Sequence, residues 1–190
     1  MTHPPRHPLA ASLASLASLA SLAALLLVAT ASAAEAQLRP IRFGLGGGYA
    51  GVTGDAAESA EAGWHALAAV DVDVPILPVG LRFDAAYNKF GGRDDGPGLR
   101  IANATANITF STLPIPIVHP YVVGGVGVYN AKSDVDGAEA TTRTGFNVGG
   151  GVRFDLLAIG AFVEARLHYV PENDDFATTQ FYPITFGLRF

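Results

Sequence analysis

From Thr179 to the final residue, Tyr182, Ile184, Phe186, Leu188 and Phe190 take every second position, with Pro183, Thr185, Gly187 and Arg189 between them. A period of two puts the first set on one face of a strand and the second on the other. In water, an edge strand this apolar invites aggregation. A strand closing a barrel in lipid has this pattern, one face meeting hydrocarbon and the other the lumen.

The pattern recurs along the chain. Eight runs read as strands: Ile41–Val52, Trp64–Val74, Val79–Phe90, Leu99–Thr112, Pro120–Asn130, Thr142–Phe154, Ile159–Tyr169 and Thr179–Phe190. Each is near the about 9–11 residues that a tilted strand needs to cross a bilayer. Leu81, Phe83, Ala85 and Tyr87 share a face, as do Ala161, Val163, Ala165, Leu167 and Tyr169. The fifth run is apolar on both faces, so its orientation is not readable.

Connections alternate in kind. Pro75–Pro78, Leu113–Ile117 and Asp155–Ala158 are short, whereas the stretches around Asp55–Gly63, Gly91–Gly98, Ala131–Thr141 and Val170–Thr178 are longer and polar. Short turns at one end and longer loops at the other predict an all-β, eight-stranded antiparallel up-and-down transmembrane barrel. The long loops carry Asp55, Glu58, Glu61, Asp94, Asp95, Asp134, Asp136, Glu139, Glu172, Asp174 and Asp175 against Arg93 and Lys132.

The faces opposite the apolar ones hold Arg42, Asp71, Asp73, Arg82, Asp84, Arg153, Glu164, Arg166 and Arg189, with Asn88, Asn103, Asn107, Asn147 and His168. An Arg or Lys facing lipid at the midplane would cost about 2–4 kcal/mol, so these residues are assigned to the lumen. Eight strands leave an interior that side chains fill, and buried charges there must pair. A tight second hairpin sets Asp71 opposite Arg82, so these two are expected to pair across it. Gly44, Gly46 and Gly48 are expected to make room for inward Arg and Tyr side chains. Trp64, Tyr87, Phe90, Tyr129, Tyr169 and Tyr182 are expected as an interface belt toward the loops, with Phe43, Phe83, Phe110, Phe154, Phe186 and Phe190 toward the turns.

Residues 1–36 read as a cleaved signal peptide: Arg6 precedes an apolar stretch from Leu9 to Val28, followed by small residues. Cleavage is expected after Ala36, with Ala33 as the rival, leaving residues 37–190 as one barrel domain. The chain has no cysteine, so disulfides and thiolate metal sites are excluded. A formal charge of −5 without a basic cluster in the sequence speaks against nucleic acid as a partner.

Several motifs carry no chemistry in this reading. Gly46 to Gly51 matches G-x-G-x-x-G, but an acidic loop follows where a dinucleotide site needs a helix, so no cofactor is expected. Asn103-Ala-Thr105 and Asn107-Ile-Thr109 match a glycosylation sequon mid-strand, with inward asparagines. His65, His119 and His168 lie apart without metal-ligand spacing, so no metal or catalytic residue is assigned. His168 is placed with Glu164 and Arg166 in the lumen network. Asp134 to Glu139 contains D-x-D-G without a complete calcium loop, leaving divalent cations a possibility at the loops.

Taken together, the leader, the alternating runs, the rhythm of connections and the terminal Phe186-Gly-Leu-Arg-Phe190 resemble the small outer-membrane β-barrels of the OmpA/OmpX type. The resemblance implies location in the bacterial outer membrane, among its lipid and lipopolysaccharide. It also implies insertion by the barrel-assembly machinery after escort by periplasmic chaperones, with Phe186, Leu188 and Phe190 in the recognition signal. It points to a structural or surface-interaction role; the alternatives are a narrow porin-like channel, a lipid A-modifying enzyme or a soluble lipocalin-like barrel.

Overall fold

The computed structural model describes residues 41–74, 77–94, 96–111, 117–156, 159–172 and 177–190. The expected leader and its cut lie outside those residues, as do Asp95, Asp174, Asp175 and parts of all three short turns. The strands are β1 (Ile41–Thr53), β2 (Ala60–Asp73), β3 (Val79–Gly92), β4 (Leu99–Ser111), β5 (Val118–Ser133), β6 (Thr141–Leu156), β7 (Ile159–Val170) and β8 (Thr179–Arg189). Each pairs antiparallel with the next, and β8 pairs with β1, so the sheet closes on itself. At the seam, Phe43 and Phe190 exchange both backbone hydrogen bonds, at 2.9 and 3.0 Å.

Side-chain direction follows the alternation. Phe43, Leu45, Phe83, Ile108, Val148, Phe186, Leu188 and Phe190 all point outward and are at least half exposed. Asp71, Arg82, Asp84, Arg153, Glu164, Arg166 and Arg189 are buried inside. A water-soluble barrel would have these faces reversed. The fifth strand also resolves: Tyr121, Val123 and Tyr129 face in, and Val122, Val126 and Val128 face out.

Three expectations about detail are corrected. β2 begins at Ala60 rather than Trp64, because its backbone keeps pairing with Gly91 and Gly92 across an irregularity between Glu61 and Gly63. The first connection is therefore a short 3-10 turn at Gly54–Glu58 followed by Ser59, not a long loop. Phe90 and Tyr129 are not belt residues; each is 1% exposed and points into the lumen. Phe90 shares the parity of Asp84 and Asn88, which decides its face.

Gly44, Gly46 and Gly48 of β1 lie against groups other than Arg and Tyr. A Cβ on Gly44 would stand 3.7 Å from the Phe162 ring, and one on Gly46 would press on Thr185. Gly187 on β8 lies against the same Phe162 ring, too close for any Cβ. Tyr121 fills the equivalent space over Gly151. At Gly187 and Gly151 glycine is thus required, because an inward aromatic ring fills the space a Cβ would take. Gly187→Ala should cost about 1–3 kcal/mol in urea unfolding of the detergent-folded barrel. Adding Phe162→Leu should recover part of it; a Gly187→Ala barrel as stable as wild type would contradict this packing.

Candidate functional site

In the lumen charged groups from opposite walls converge, and they are layered along the barrel axis. At the turn end, Arg42 approaches Asp73 at 3.8 Å and Asp155 at 3.4 Å, while His119 Nε2 lies 3.2 Å from Asp155. These groups, with Ser111, Arg153 and Arg189, line a cavity of about 200 Å3.

One layer deeper, Asp71 on β2 takes Arg153 from β6 at 3.3 Å and Arg189 from β8 at 3.4 Å. Arg189 also reaches Asp73 at 3.5 Å. The Arg189 contacts are ion pairs without hydrogen-bond alignment, since its Nε and Nη2 find no acceptor in line. The Arg153 guanidinium lies 4.1 Å above the Tyr121 ring, a cation–π contact in a desolvated place.

The middle layer is a closed ring of four charges. Arg82 Nε donates to Asp84 at 2.7 Å and its Nη1 donates to Glu164 at 3.1 Å. Arg166 donates to Asp84 and to Glu164, both at 2.6 Å. Arg82 and Asp84 lie on β3, Glu164 and Arg166 on β7, four strands apart around a ring of eight. The four side chains therefore span the lumen's full width, each 1–4% exposed. Glu164 also accepts the Tyr121 hydroxyl at 2.7 Å, and Asp84 accepts Asn107 at 2.9 Å. Every carboxylate is thus shared by several donors, the condition under which a buried charge is tolerated.

Toward the loop end the lining turns amide-rich, then aromatic. Asn88 donates to the Ile101 carbonyl and to Asn103, and Thr185 contacts His65 at 3.2 Å. Above them, His168 stacks on Phe181 with centroids 4.6 Å apart and planes 5° off parallel. The Tyr129 hydroxyl lies 2.9 Å from His168 Nδ1, and Phe90 meets Phe181 edge-on. His168 therefore belongs to an aromatic layer and not to the Glu164–Arg166 pair.

The family model described as outer membrane protein beta-barrel domain matches residues 20–190. The chain belongs to that outer-membrane β-barrel family. Its place is the bacterial outer membrane. The barrel is similar to the crystal structure of Neisserial surface protein A, at TM-score 0.64 and 14% identity, covering 79% of this chain and 96% of that one. It is also similar to the N-terminal barrel domain of Pseudomonas aeruginosa OprF, at TM-score 0.51 and 12% identity, over 79% of this chain and 96% of that one. No curated protein sequence matches. At these identities the likeness concerns the fold alone.

For this outer-membrane barrel, all nine expected lumen charges are on the inner side, but the partners differ from the expected ones. Asp71 and Arg82 are register neighbours, yet Asp71 pairs with Arg153 and Arg189, and Arg82 with Asp84 and Glu164. A guanidinium pointing into a narrow barrel reaches the far wall as readily as the adjacent strand. Asp155, His119 and Tyr121 were not among the expected network. Asp155 falls at the edge of a short connection in the sequence, but it lies in β6 with the inward parity of Arg153. Its inclusion sets five arginines (Arg42, Arg82, Arg153, Arg166, Arg189) against five carboxylates (Asp71, Asp73, Asp84, Asp155, Glu164). Phe186, Leu188 and Phe190 are exposed on the outer wall.

Asp84→Ala leaves two buried arginines to share the single carboxylate of Glu164 and should cost about 3–5 kcal/mol in urea unfolding. Asp155→Ala, in the half-exposed turn-end layer, should cost about 1 kcal/mol or less. A double-mutant cycle of Arg82→Ala with Glu164→Ala should show coupling of about 0.5–3 kcal/mol. Equal costs at Asp84 and Asp155, or additivity in the cycle, would refute the ring as the central interaction.

Proposed function

We propose that this chain is a non-enzymatic outer-membrane barrel with a plugged lumen, acting as a structural or surface-interaction protein through acidic loops. The observation that supports this reading is the Arg82–Asp84–Arg166–Glu164 ring, which crosses the lumen between opposite walls. In this reading, residues 1–36 are removed on export and residues 37–190 form the barrel. The loop end faces outward, where Glu58, Glu61, Asp94, Asp134, Asp136, Glu139 and Glu172 are exposed to solvent. Lipopolysaccharide and divalent cations surround it there, and the barrel-assembly machinery and periplasmic chaperones are its partners in biogenesis.

The turn-end cavity favours the rival reading, a narrow channel entered from that side. Planar-bilayer recording separates the two. The purified barrel should give no discrete current steps; a reproducible unitary conductance would overturn the plugged-lumen reading. Phe190→Asp places a charge at the seam, where Phe190 pairs with Phe43 on an apolar outer wall. It should lower the amount of barrel in outer-membrane fractions severalfold while export to the periplasm continues. Unchanged outer-membrane levels would count against a C-terminal assembly signal.

A further inference from the structure

The chain contains two lysines, Lys89 and Lys132, and strand register brings them to either side of Arg100. Lys89 on β3 stands opposite Arg100 on β4, and Arg100 stands opposite Lys132 on β5. All three have the outward parity of Tyr87, Ala102 and Val128, and both lysines are exposed. No other lysine or arginine faces outward from a strand among the described residues. Among the described residues, the cations of the outer wall's strands thus form one lateral row spanning two interstrand spacings, about 10 Å.

That row sits where the apolar wall meets the loops. Trp64 is register neighbour to Lys89 on its other side, and Trp64 and Tyr87 pack with ring centroids 5.8 Å apart. Trp and Tyr mark the headgroup level of a membrane-spanning wall. At the turn end, by contrast, the outward positions among the described residues are apolar, with Phe43, Phe83, Phe110 and Phe190 exposed. The cations are placed for one leaflet only.

Like charges directly opposite one another on a sheet are destabilising, and here three adjoin. Asp134 pairs with Arg100 and answers one of them. Glu61, at the level of Gly91, stands one row further toward the loops on β2. Neither lysine makes an ion pair among the described residues. An anion lying at the headgroup level between Lys89 and Lys132 would complete the row with charge-assisted hydrogen bonds.

We infer that Lys89, Arg100 and Lys132 form a binding site for the phosphate of a lipid headgroup in the loop-side leaflet. This rests on the proposed outward placement of the loop end, and it supplies that reading with a specific lipid contact. The lysines supply point charges to the phosphate, and Arg100 is held by Asp134 as the fixed centre of the row.

The test uses the full mature barrel, folded in detergent and checked by heat-modifiable gel migration. Bisphosphorylated lipid A, the same lipid with its phosphates removed, and inorganic phosphate are titrated separately, with bound species counted by native mass spectrometry. Wild type should retain the phosphorylated lipid at least about tenfold better than the dephosphorylated one, and rising salt should erode that preference. Lys89→Gln with Lys132→Gln should abolish the preference without altering gel migration, and Lys89→Arg with Lys132→Arg should keep it. Equal retention of phosphorylated lipid A by the Gln pair and wild type would overturn the site. Inorganic phosphate binding as tightly as the lipid would overturn its assignment to a headgroup. Both lysines lie on the outer wall, so the outcome is independent of whether the lumen conducts.

Discussion

In hydrocarbon no water is present to satisfy a backbone N–H or C=O, so a sheet that spans a membrane has to have no free edge. The pairing of β8 with β1, continued by the Phe43–Phe190 exchange, meets that requirement. The remaining features of the molecule follow from it. Closure creates an inside, eight strands make that inside narrow, and narrowness brings side chains from opposite walls within hydrogen-bonding reach. The charge ring between β3 and β7 exists because the wall is closed, not because those strands are neighbours.

This explains which parts of the structure were legible. Alternation is a local property, so strand count, pairing order and the inward set from Arg42 to Arg189 could be read from residue parity. Register along a tight hairpin is also local, and Asp71 does stand opposite Arg82. The ion pairs that cross the lumen are not local: Arg82 to Glu164 and Arg153 to Asp71 each join residues 82 positions apart. Sequence spacing along one hairpin does not encode a distance across the barrel. Strand ends were the other blind spot. Backbone pairing at Ala60–Gly63 and beyond Phe90 needs no apolar side chain, so the strands outrun the hydrophobic pattern that announced them.

The aromatic layer shows how a correct rule can be applied to the wrong residues. Tyr and Trp do gather at the loop-side rim, where Trp64, Tyr87, Tyr169 and Tyr182 are exposed. Phe90 and Tyr129 lie at similar heights but on the inner face, where they pack with His168 and Phe181. Height along the barrel and face of the wall are separate coordinates, and residue type alone specifies neither. For β5, apolar on both faces, only its neighbours settle the matter: β4 and β6 carry unambiguous inward polar residues, and register transfers their parity to Tyr121 and Tyr129.

The middle ring also bears on an error that alternation cannot detect. A strand that slips by one residue turns its apolar face inward and is penalised at once. A slip of two keeps every face correct, and the hydrophobic pattern is blind to it. On β3 the order from the turn end is Arg82 then Asp84; on β7 it is Glu164 then Arg166. Sliding β3 by two residues one way brings Asp84 level with Glu164, and sliding it the other way brings Arg82 level with Arg166. Either error sets like charge against like in a desolvated interior. The mirrored charge order therefore works as a parity check on the stagger of the closed wall, selecting one shear among those the apolar alternation would allow.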